Sequence, residues 1–327
     1  MNRYAIGIDL GGSKISGALV DQVGAIAYKE SLPTQAEEPV ASVLGRIQYC
    51  IEKLQSLVDG VILGIGIGVA AMTDSKRGVV IHASNLMWTN VPLRELILER
   101  MGMKWKECIW VDKDTNAAAL GEMQYGAGRN SSHLLYVTVG TGVGGGMILN
   151  GRLYHGASEG ASDLGHLVLD PQGETCGCGK RGCLETLSSG KAIARHTQEA
   201  LRRGSESALS DMNIEEITAY EVVEAAKKGD NLAKNILTSA GHFLGIALAY
   251  YVDLNNPELI IIGGGVSAAG ELLLEPIRQT VKERSLPANF STVKVVPAGL
   301  GVDSGAIGAA SLVWQNFERP PMKVDKE

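Results

Sequence analysis

Residues Cys176-Gly-Cys178-Gly-Lys-Arg-Gly-Cys183 place three of the chain's five cysteines within eight residues, and Asp163-Leu-Gly-His166 lies ten residues upstream. Thiolate and imidazole are the ligands zinc prefers, and a Cys₃His set has no spare position for substrate, so it reads as a structural site. The interspersed glycines let a short loop turn its sulfurs onto one ion. A redox pair or separate buried thiols are the alternatives. The cluster follows a glycine-rich turn and precedes Glu185, which points to a metal that shapes one wall of an active site.

Two further turns have the chemistry of phosphate binding. Asp9-Leu-Gly11-Gly12-Ser13-Lys14 puts a carboxylate at a strand end, then two glycines, a hydroxyl and a cation. Backbone N–H groups in such a turn converge on phosphate oxygens, and Asp9 is suited to a hydrated Mg²⁺, which takes few protein carboxylates. Gly140-Thr141-Gly142-Val-Gly144-Gly145 matches G-x-G-x-x-G. That dinucleotide fingerprint requires a helix to follow, whereas Met147-Ile-Leu-Asn150-Gly151 reads as strand and hairpin. No G-x-x-x-x-G-K-[ST] run exists. The two turns therefore read as a pair of strand–turn–strand phosphate clamps, with simple tight turns as the alternative. Gly263-Gly264-Gly265 follows an apolar run and suits close approach of the backbone to a base or ribose; a helix-entry turn explains it equally well.

An acid–base candidate lies in Val111-Asp112-Lys113-Asp114-Thr-Asn-Ala-Ala-Ala-Leu-Gly-Glu122, where a strand passes into an alanine-rich helix. Asp112 or Asp114 would serve the helix N-terminus as a cap or a favourable charge. The functional alternative is a general base that takes a hydroxyl proton as a γ-phosphate is attacked. Phosphoryl transfer is mostly positioning and charge stabilisation, so one base, one Mg²⁺ and a clamp suffice.

The elements that must position these groups alternate between strand and helix, which gives an α/β fold. Tyr4–Val20 is strand, turn, strand, and residues 134–153 repeat the plan, with Asn150-Gly151 as a hairpin signal. Two such hairpins about 130 residues apart suggest two related halves. Leu63–Val69 is a buried strand whose glycines permit close backbone approach. Helices are expected at Glu37–Leu57, Thr115–Tyr125, Thr186–Arg203, Ala219–Lys228 and Leu232–Val252. A terminal helix at Ser304–Phe317 is expected to pack back on the first half. The chain has 327 residues, 45% of them apolar, with 41 glycines and a net charge of −6. That length accommodates two domains. The absence of a basic run argues against a nucleic-acid partner, and no apolar run is long enough for a membrane span. The strand that begins near Met1 is expected to leave no room for a signal peptide, and clustered rather than paired cysteines fit a reducing cytoplasm.

With these pieces in place, the chain resembles the ROK family (repressors, open reading frames and kinases), above all its glucokinase-like sugar kinases. The resemblance rests on Asp9-Leu-Gly-Gly-Ser-Lys14, Trp88-Thr-Asn-Val-Pro-Leu93, Asp114-Thr-Asn-Ala-Ala-Ala-Leu-Gly-Glu122, Gly140-Thr-Gly-Val-Gly-Gly-Gly146, Gly165-His166, the cysteine run ending at Glu185, and Asn256-Pro-Glu-Leu-Ile-Ile-Ile-Gly-Gly-Gly265. It implies a two-domain actin-like ATPase fold of ribonuclease-H-like halves, with ATP and sugar in the cleft between them. The expected domains are 1–113 plus 303–327, the smaller, and 114–302, which carries the zinc loop. It further implies that Asp114 is the base and that His166 ligates zinc through one ring nitrogen and meets a sugar hydroxyl with the other. Glu185 and Asn85 are expected at the sugar, and a homodimer is the family's assembly.

Four positions depart from the family pattern: Lys113 for Asn, Asp163 for Glu, Ala70-Ala71 for Pro-Gly and Ser84 for Pro. All are expected to map to the sugar half, with the phosphate half intact. They suggest an acceptor other than glucose in its usual pose, such as an amino sugar, an N-acetyl sugar or a cyclitol. Lys113 and Asp163 could pair, or Lys113 could meet an acidic substrate. The default activity is transfer from ATP to the 6-hydroxyl of a hexose, with polyphosphate as another conceivable donor. A sugar-sensing protein without turnover is the competing function.

Overall fold

The first strand shows how side-chain size sets the layers. In β1 (Arg3–Leu10), Ile6, Ile8 and Leu10 point to one face, and Ala5, Gly7 and Asp9 to the other, as the period-2 pleat requires. The computed structural model describes residues 2–318. It continues with β2 (Lys14–Asp21), β3 (Ile26–Pro33), α1 (Val40–Gln55), β4 (Val61–Val69), β5 (Met72–Asp74), β6 (Val79–Ala83), β7 (Trp88–Val91), α2 (Leu93–Met101), β8 (Ile109–Lys113) and α3 (Asp114–Tyr125). A five-stranded sheet has the order β3-β2-β1-β4-β8, and β5-β6-β7 form a small second sheet. β2 runs antiparallel to β1, while β4 and β8 run parallel to it and to each other.

The second half follows with β9 (Leu134–Val139), β10 (Val143–Leu149), β11 (Arg152–Leu153), α4 (Leu184–Ser188), α5 (Gly190–Arg202), α6 (Ala219–Lys227), α7 (Asn231–Asn255), β12 (Leu259–Gly263), α8 (Glu271–Arg284), α9 (Pro287–Phe290) and β13 (Lys294–Pro297). Its sheet order, β11-β10-β9-β12-β13, repeats the first sheet position by position. Again the hairpin partner β10 is antiparallel to β9, and β12 and β13 are parallel. Asn150 and Gly151, with φ of 52° and 69°, supply the two left-handed positions of the predicted hairpin turn. The chain ends in α10 (Ser304–Glu318).

α10 packs on the small-residue face of the first sheet, as its expected return to the first half required. A Cβ on Gly7 would lie 1.9 Å from the Ala306 carbonyl oxygen, and one on Gly66 would lie 1.8 Å from that of Ala309. Any side chain there would drive helix and sheet apart. The glycine alternation of β4 is the footprint of this helix. The opposite face, with Ile6, Ile8, Leu10, Ile65 and Ile67, is covered by α1 through Val43, Leu44, Ile47 and Ile51.

Backbone contacts divide the chain into two units of similar size. One comprises the chain up to Asn130, Leu153–Ala161 and the chain from Leu300 onward; the other comprises Ser131–Arg152 and Ser162–Gly299. This differs from the division at 113/114 and 302/303 expected from sequence, and neither unit is the small one. α3 belongs to the first unit because Ala117 and Leu120 pack on Leu312 of α10. Residues 319–327, placed in the first domain from sequence, lie outside the described residues.

Two helices also differ from expectation. Thr186–Arg203 is interrupted at Ser189, whose backbone is extended and whose hydroxyl accepts the Ala192 N–H, starting α5 afresh. α7 runs on to Asn255, where Asn256 ends it in the left-handed region at φ 44°.

Candidate functional site

In the first unit the turn after β1 is fixed from two sides. Register places Leu10 opposite Ile15, leaving Gly11, Gly12, Ser13 and Lys14 to make the reversal. The Gly11 N–H donates to the Lys14 carbonyl at 3.0 Å, and the fully buried Thr34 grips the turn twice. Its hydroxyl donates to the Gly11 carbonyl at 2.7 Å and its N–H to the Ser13 carbonyl at 3.0 Å. A Cβ on Gly12 would come within 2.9 Å of the Asn85 carbonyl oxygen. Asn85 therefore lies directly against the turn, and Ser13 and Lys14 are exposed beside it. Thr34 went unnoticed in the sequence, where nothing distinguishes it from any threonine at a strand end.

Asp9 ends β1 on the helix-facing side, and its carboxylate sits where a Cβ on Gly305, in the first turn of α10, would meet it at 2.4 Å. Burial raises its pKa, opposed by the nearby Lys14 charge. An anion held out of water in this way suits a hydrated dication as its partner.

At the β8–α3 junction, strand passes to helix where the sequence predicted. Lys113 is the extended N-cap residue and Asp114 the first residue of α3, with Asp114 Oδ1 accepting the Thr115 N–H at 2.7 Å. Lys113 makes no side-chain cap. Asp112 braces the junction from the strand side: its Oδ1 accepts the Lys113 N–H at 2.7 Å and the Asn116 side-chain amide at 2.8 Å. Asp112 Oδ2 lies 2.7 Å from His155 Nε2, a contact that the sequence gave no sign of. Of the four departures, Ala70-Ala71 lies at the end of β4, Ser84 next to Asn85, and Lys113 next to Asp114, all in the first unit; Asp163 lies in the second.

In the second unit the corresponding turn is shorter: Val139 pairs with Val143, and Gly140, Thr141 and Gly142 make the reversal. A strand, not a helix, follows, as a phosphate clamp requires and a dinucleotide fingerprint does not. Glu185, in the first turn of α4, accepts the Val143 N–H on Oε2 at 3.1 Å, and a Cβ on Gly142 would come within 2.3 Å of the same oxygen. The Gly140 carbonyl accepts the N–H of Gly190 at 2.7 Å. Gly144 continues into β10. Gly263 ends β12, and Gly264, at φ 84°, turns the chain so close to Val139 that a Cβ would lie 2.5 Å from its carbonyl oxygen. Gly265 then opens a short 3₁₀ turn to Ala269. The triplet thus serves a turn into a short helix, as the helix-entry reading has it, and its close approach is to the Val139 backbone. Gly140, Thr141 and Gly265 line one cavity of about 650 Å³ whose further walls include Ile217, Val223 and Val266.

The cysteine loop closes on itself through an antiparallel bridge of Thr175 with Arg181, and Cys183 bridges Val168. His166, Cys176, Cys178 and Cys183 bring their donor atoms within 4.8 Å of one another. Cys176 Sγ lies 3.6 Å from His166 Nδ1, and Cys178 Sγ lies 3.6 Å from Cys183 Sγ. Tetrahedral zinc with Zn–S of about 2.3 Å and Zn–N of about 2.0–2.1 Å calls for S···N near 3.6 Å and S···S near 3.8 Å. The donor set fits such an ion, with Nδ1 as the histidine donor. All three thiols are free. Burial and the neighbouring sulfurs push the Cys183 thiol up to about 12, while the backbone at Lys180 draws Cys178 down. Asp163 precedes the 3₁₀ turn Leu164–His166, and its carbonyl accepts the His166 N–H at 3.2 Å. A Cβ on Gly165 would lie 2.1 Å from the Val143 carbonyl oxygen. The histidine turn, the Glu185 helix and the glycine hairpin are thereby packed into one assembly.

The ROK family model matches residues 5–316. The chain belongs to the ROK family. A glucokinase from Thermotoga maritima is 37% identical over 95% of this chain and 98% of its own length. A xylose repressor from Caldicellulosiruptor bescii is 33% identical over 94% of this chain and 77% of its own. Among solved structures, a ROK glucokinase from Streptomyces griseus in complex with glucose and AMPPNP superposes with a TM-score of 0.84 at 33% identity, covering 95% of this chain and 99% of that one. The ROK chain described here has the family's actin-like ATPase fold, and its two sheets of identical order are that fold's repeated halves. Among the described residues, no helix is long and apolar enough to cross a membrane.

Proposed function

We propose that the protein is a sugar kinase that transfers the γ-phosphoryl group of ATP to a hydroxyl of a hexose. The observation that carries this reading is the cavity of the second unit, where Gly140-Thr141 and Gly265 meet around an apolar wall of Ile217, Val223 and Val266. Those walls suit an adenine ring, and the N–H groups of the glycine turn suit the phosphates. The first unit contributes the second phosphate turn, Gly11–Lys14, with Lys14 as its cation. Asp9 would hold Mg²⁺, which supplies charge neutralisation at the β- and γ-phosphates.

Asp114 takes the proton of the attacking hydroxyl from its place at the start of α3. Asn85, His166 and Glu185 bind sugar hydroxyls, joined by Lys113 and Asp163. Among the described residues Glu185 accepts the Val143 N–H on Oε2, and a carboxylate has further lone pairs for hydroxyl donors. A structural zinc on His166, Cys176, Cys178 and Cys183 orients the imidazole, leaving Nε2 for the sugar. A homodimer is the family's assembly.

The departures at Lys113, Asp163, Ala70-Ala71 and Ser84 bear on which hexose is used, because a site built to hydrogen-bond hydroxyls discriminates steeply when one changes. The test is coupled ADP release with ATP or polyphosphate against glucose, other hexoses, amino sugars, N-acetyl sugars and cyclitols, with metal analysis of the purified chain. Turnover with at least one acceptor and bound zinc are expected. Strong preference for unmodified glucose would remove any special role for the four departures. Sugar binding without ADP release on any acceptor would favour the sugar-sensing alternative, to which the xylose-repressor likeness corresponds.

A further inference from the structure

Asp114 has a task in the proposed reaction, but the carboxylate two residues earlier is among the most deeply buried charges of the first unit. Asp112 is 4% exposed. Its Oδ1 accepts the Lys113 N–H and the Asn116 amide, and its Oδ2 meets His155 Nε2 at 2.7 Å. These bonds bracket Asp114, one just before it and one just after. A buried carboxylate without a cationic partner is strongly destabilising, and His155 is that partner. His155 lies on Leu153–Ala161, the segment that returns the chain to the first unit. The segment is anchored a second time by Glu159, whose Oε2 accepts the Ser75 N–H at 3.1 Å and the Ser75 hydroxyl at 2.6 Å.

Burial opposes a charge on the imidazole, but the hydrogen bond and charge of Asp112, aided by Glu159 and opposed by Lys76, raise its pKa. Asp112 on β8, Glu159 on its own segment and Lys76 on the β5–β6 turn are the charged groups that face it.

We propose that His155 is a positioning residue for phosphoryl transfer. Through Asp112 it fixes the Lys113–Asn116 turn that presents Asp114, and as an imidazolium it cancels a negative charge that would oppose ionisation of the base. The inference rests on the sugar-kinase reading. Its electrostatic half follows from proximity: an uncompensated carboxylate two residues away disfavours a second one, so a base beside it stays protonated to higher pH.

The experiment compares the wild type with His155→Ala and His155→Gln. It records kcat and KM across the pH range, thermal unfolding, and the carboxyl ¹³C titration of Asp114 in substrate-free protein. His155→Ala should lower kcat about tenfold or more, through misplacement of the base, with KM for ATP within about twofold. Its acid limb should move to higher pH. His155→Gln can donate an amide N–H to Asp112 without a charge. It should recover most of kcat at alkaline pH and keep the displaced limb. Folded His155→Ala with the wild-type kcat and acid limb would overturn the proposal. So would activity lost only in step with folded protein, with the limb unmoved. If the wild type phosphorylates no sugar, the kinase reading fails by itself. The Asp114 titration then still decides the coupling: an upward move in His155→Ala supports it, and an unmoved midpoint overturns it.

Discussion

The turns after β1 and β9 occupy the same position in two sheets of identical strand order, yet they are built and supported differently. The first spans four residues between Leu10 and Ile15, carries Ser13 and Lys14, and is held by Thr34 and the Asn85 loop. The second spans three residues between Val139 and Val143, has no charged side chain, and is held by Glu185 and the Gly190 N–H. Topology fixes where a hairpin turn emerges, but what is packed behind it sets its chemistry. Behind the first sheet lies α10, seated on glycines; behind the second turn lie the cysteine loop and an apolar cavity. A repeated fold thus yields a cationic turn beside a carboxylate in one unit and an uncharged turn opening onto a largely apolar cavity in the other.

The division of labour breaks most visibly at Asp114. Asp114→Asn should reduce turnover by about 10²-fold or more while binding of a non-hydrolysable nucleotide stays unchanged by calorimetry, because the proposed role of Asp114 is at the acceptor hydroxyl and not at the nucleotide. Surviving activity would move the base elsewhere. The glycines give the next contrast. Gly66→Ala should cost about 3 kcal/mol in denaturant unfolding, since the new Cβ collides with α10 backbone. Gly140→Ala, with nothing within 4 Å of its Cβ position, should change stability by less than about 0.5 kcal/mol. Equal costs at both sites would remove the distinction between a packing glycine and a site glycine.

The two supports can then be weighed against each other. Glu185→Ala leaves the Val143 N–H without its acceptor and should cost about 1–2 kcal/mol, whereas Thr34→Val removes one hydroxyl bond and should cost about 1 kcal/mol. Each should loosen the glycine turn it holds and weaken nucleotide binding through that turn. The smallest effect is pH-dependent and confined to the first unit. His155 has a folded pKa raised above its unfolded value near 6.5. Its stabilising contribution is therefore fully present below the unfolded pKa and is lost as pH rises through the folded one. The deficit in Tm of His155→Gln against the wild type should be largest in mild acid and shrink toward alkaline pH. A constant deficit would mean that the charge contributes nothing.

Much of this arrangement is legible in local sequence. Both hairpins, the Asn150-Gly151 turn and the strand-to-helix step at Asp114 are short-range patterns whose geometry is set by neighbours in the chain. The cysteine loop is equally local, with its ligands confined to His166–Cys183. The interruption at Ser189 was missed because a serine cap inside a helical pattern is distinguished only by the contact of Gly190 with the Gly140 carbonyl. The β5-β6-β7 sheet was missed because strands of three to five residues carry too few alternations to register. Domain limits were misplaced at α3, since the alanine face that docks on α10 looks the same whichever unit receives it.

The order of residues alone determined the turns, the ligand cluster and the strand-to-helix step at Asp114, because each depends on backbone preferences and spacings over a few residues. Tertiary structure alone decided that Asp112 braces the step into α3 through Lys113 and Asn116, and that His155, 43 positions away, meets its other oxygen. It also decided that Glu185 is tied to the glycine hairpin, and that the alternating glycines of β4 exist for a helix some 240 residues downstream. Those pairings are chosen by which surfaces remain to be buried once the sheets have formed, and a linear pattern holds no record of that choice.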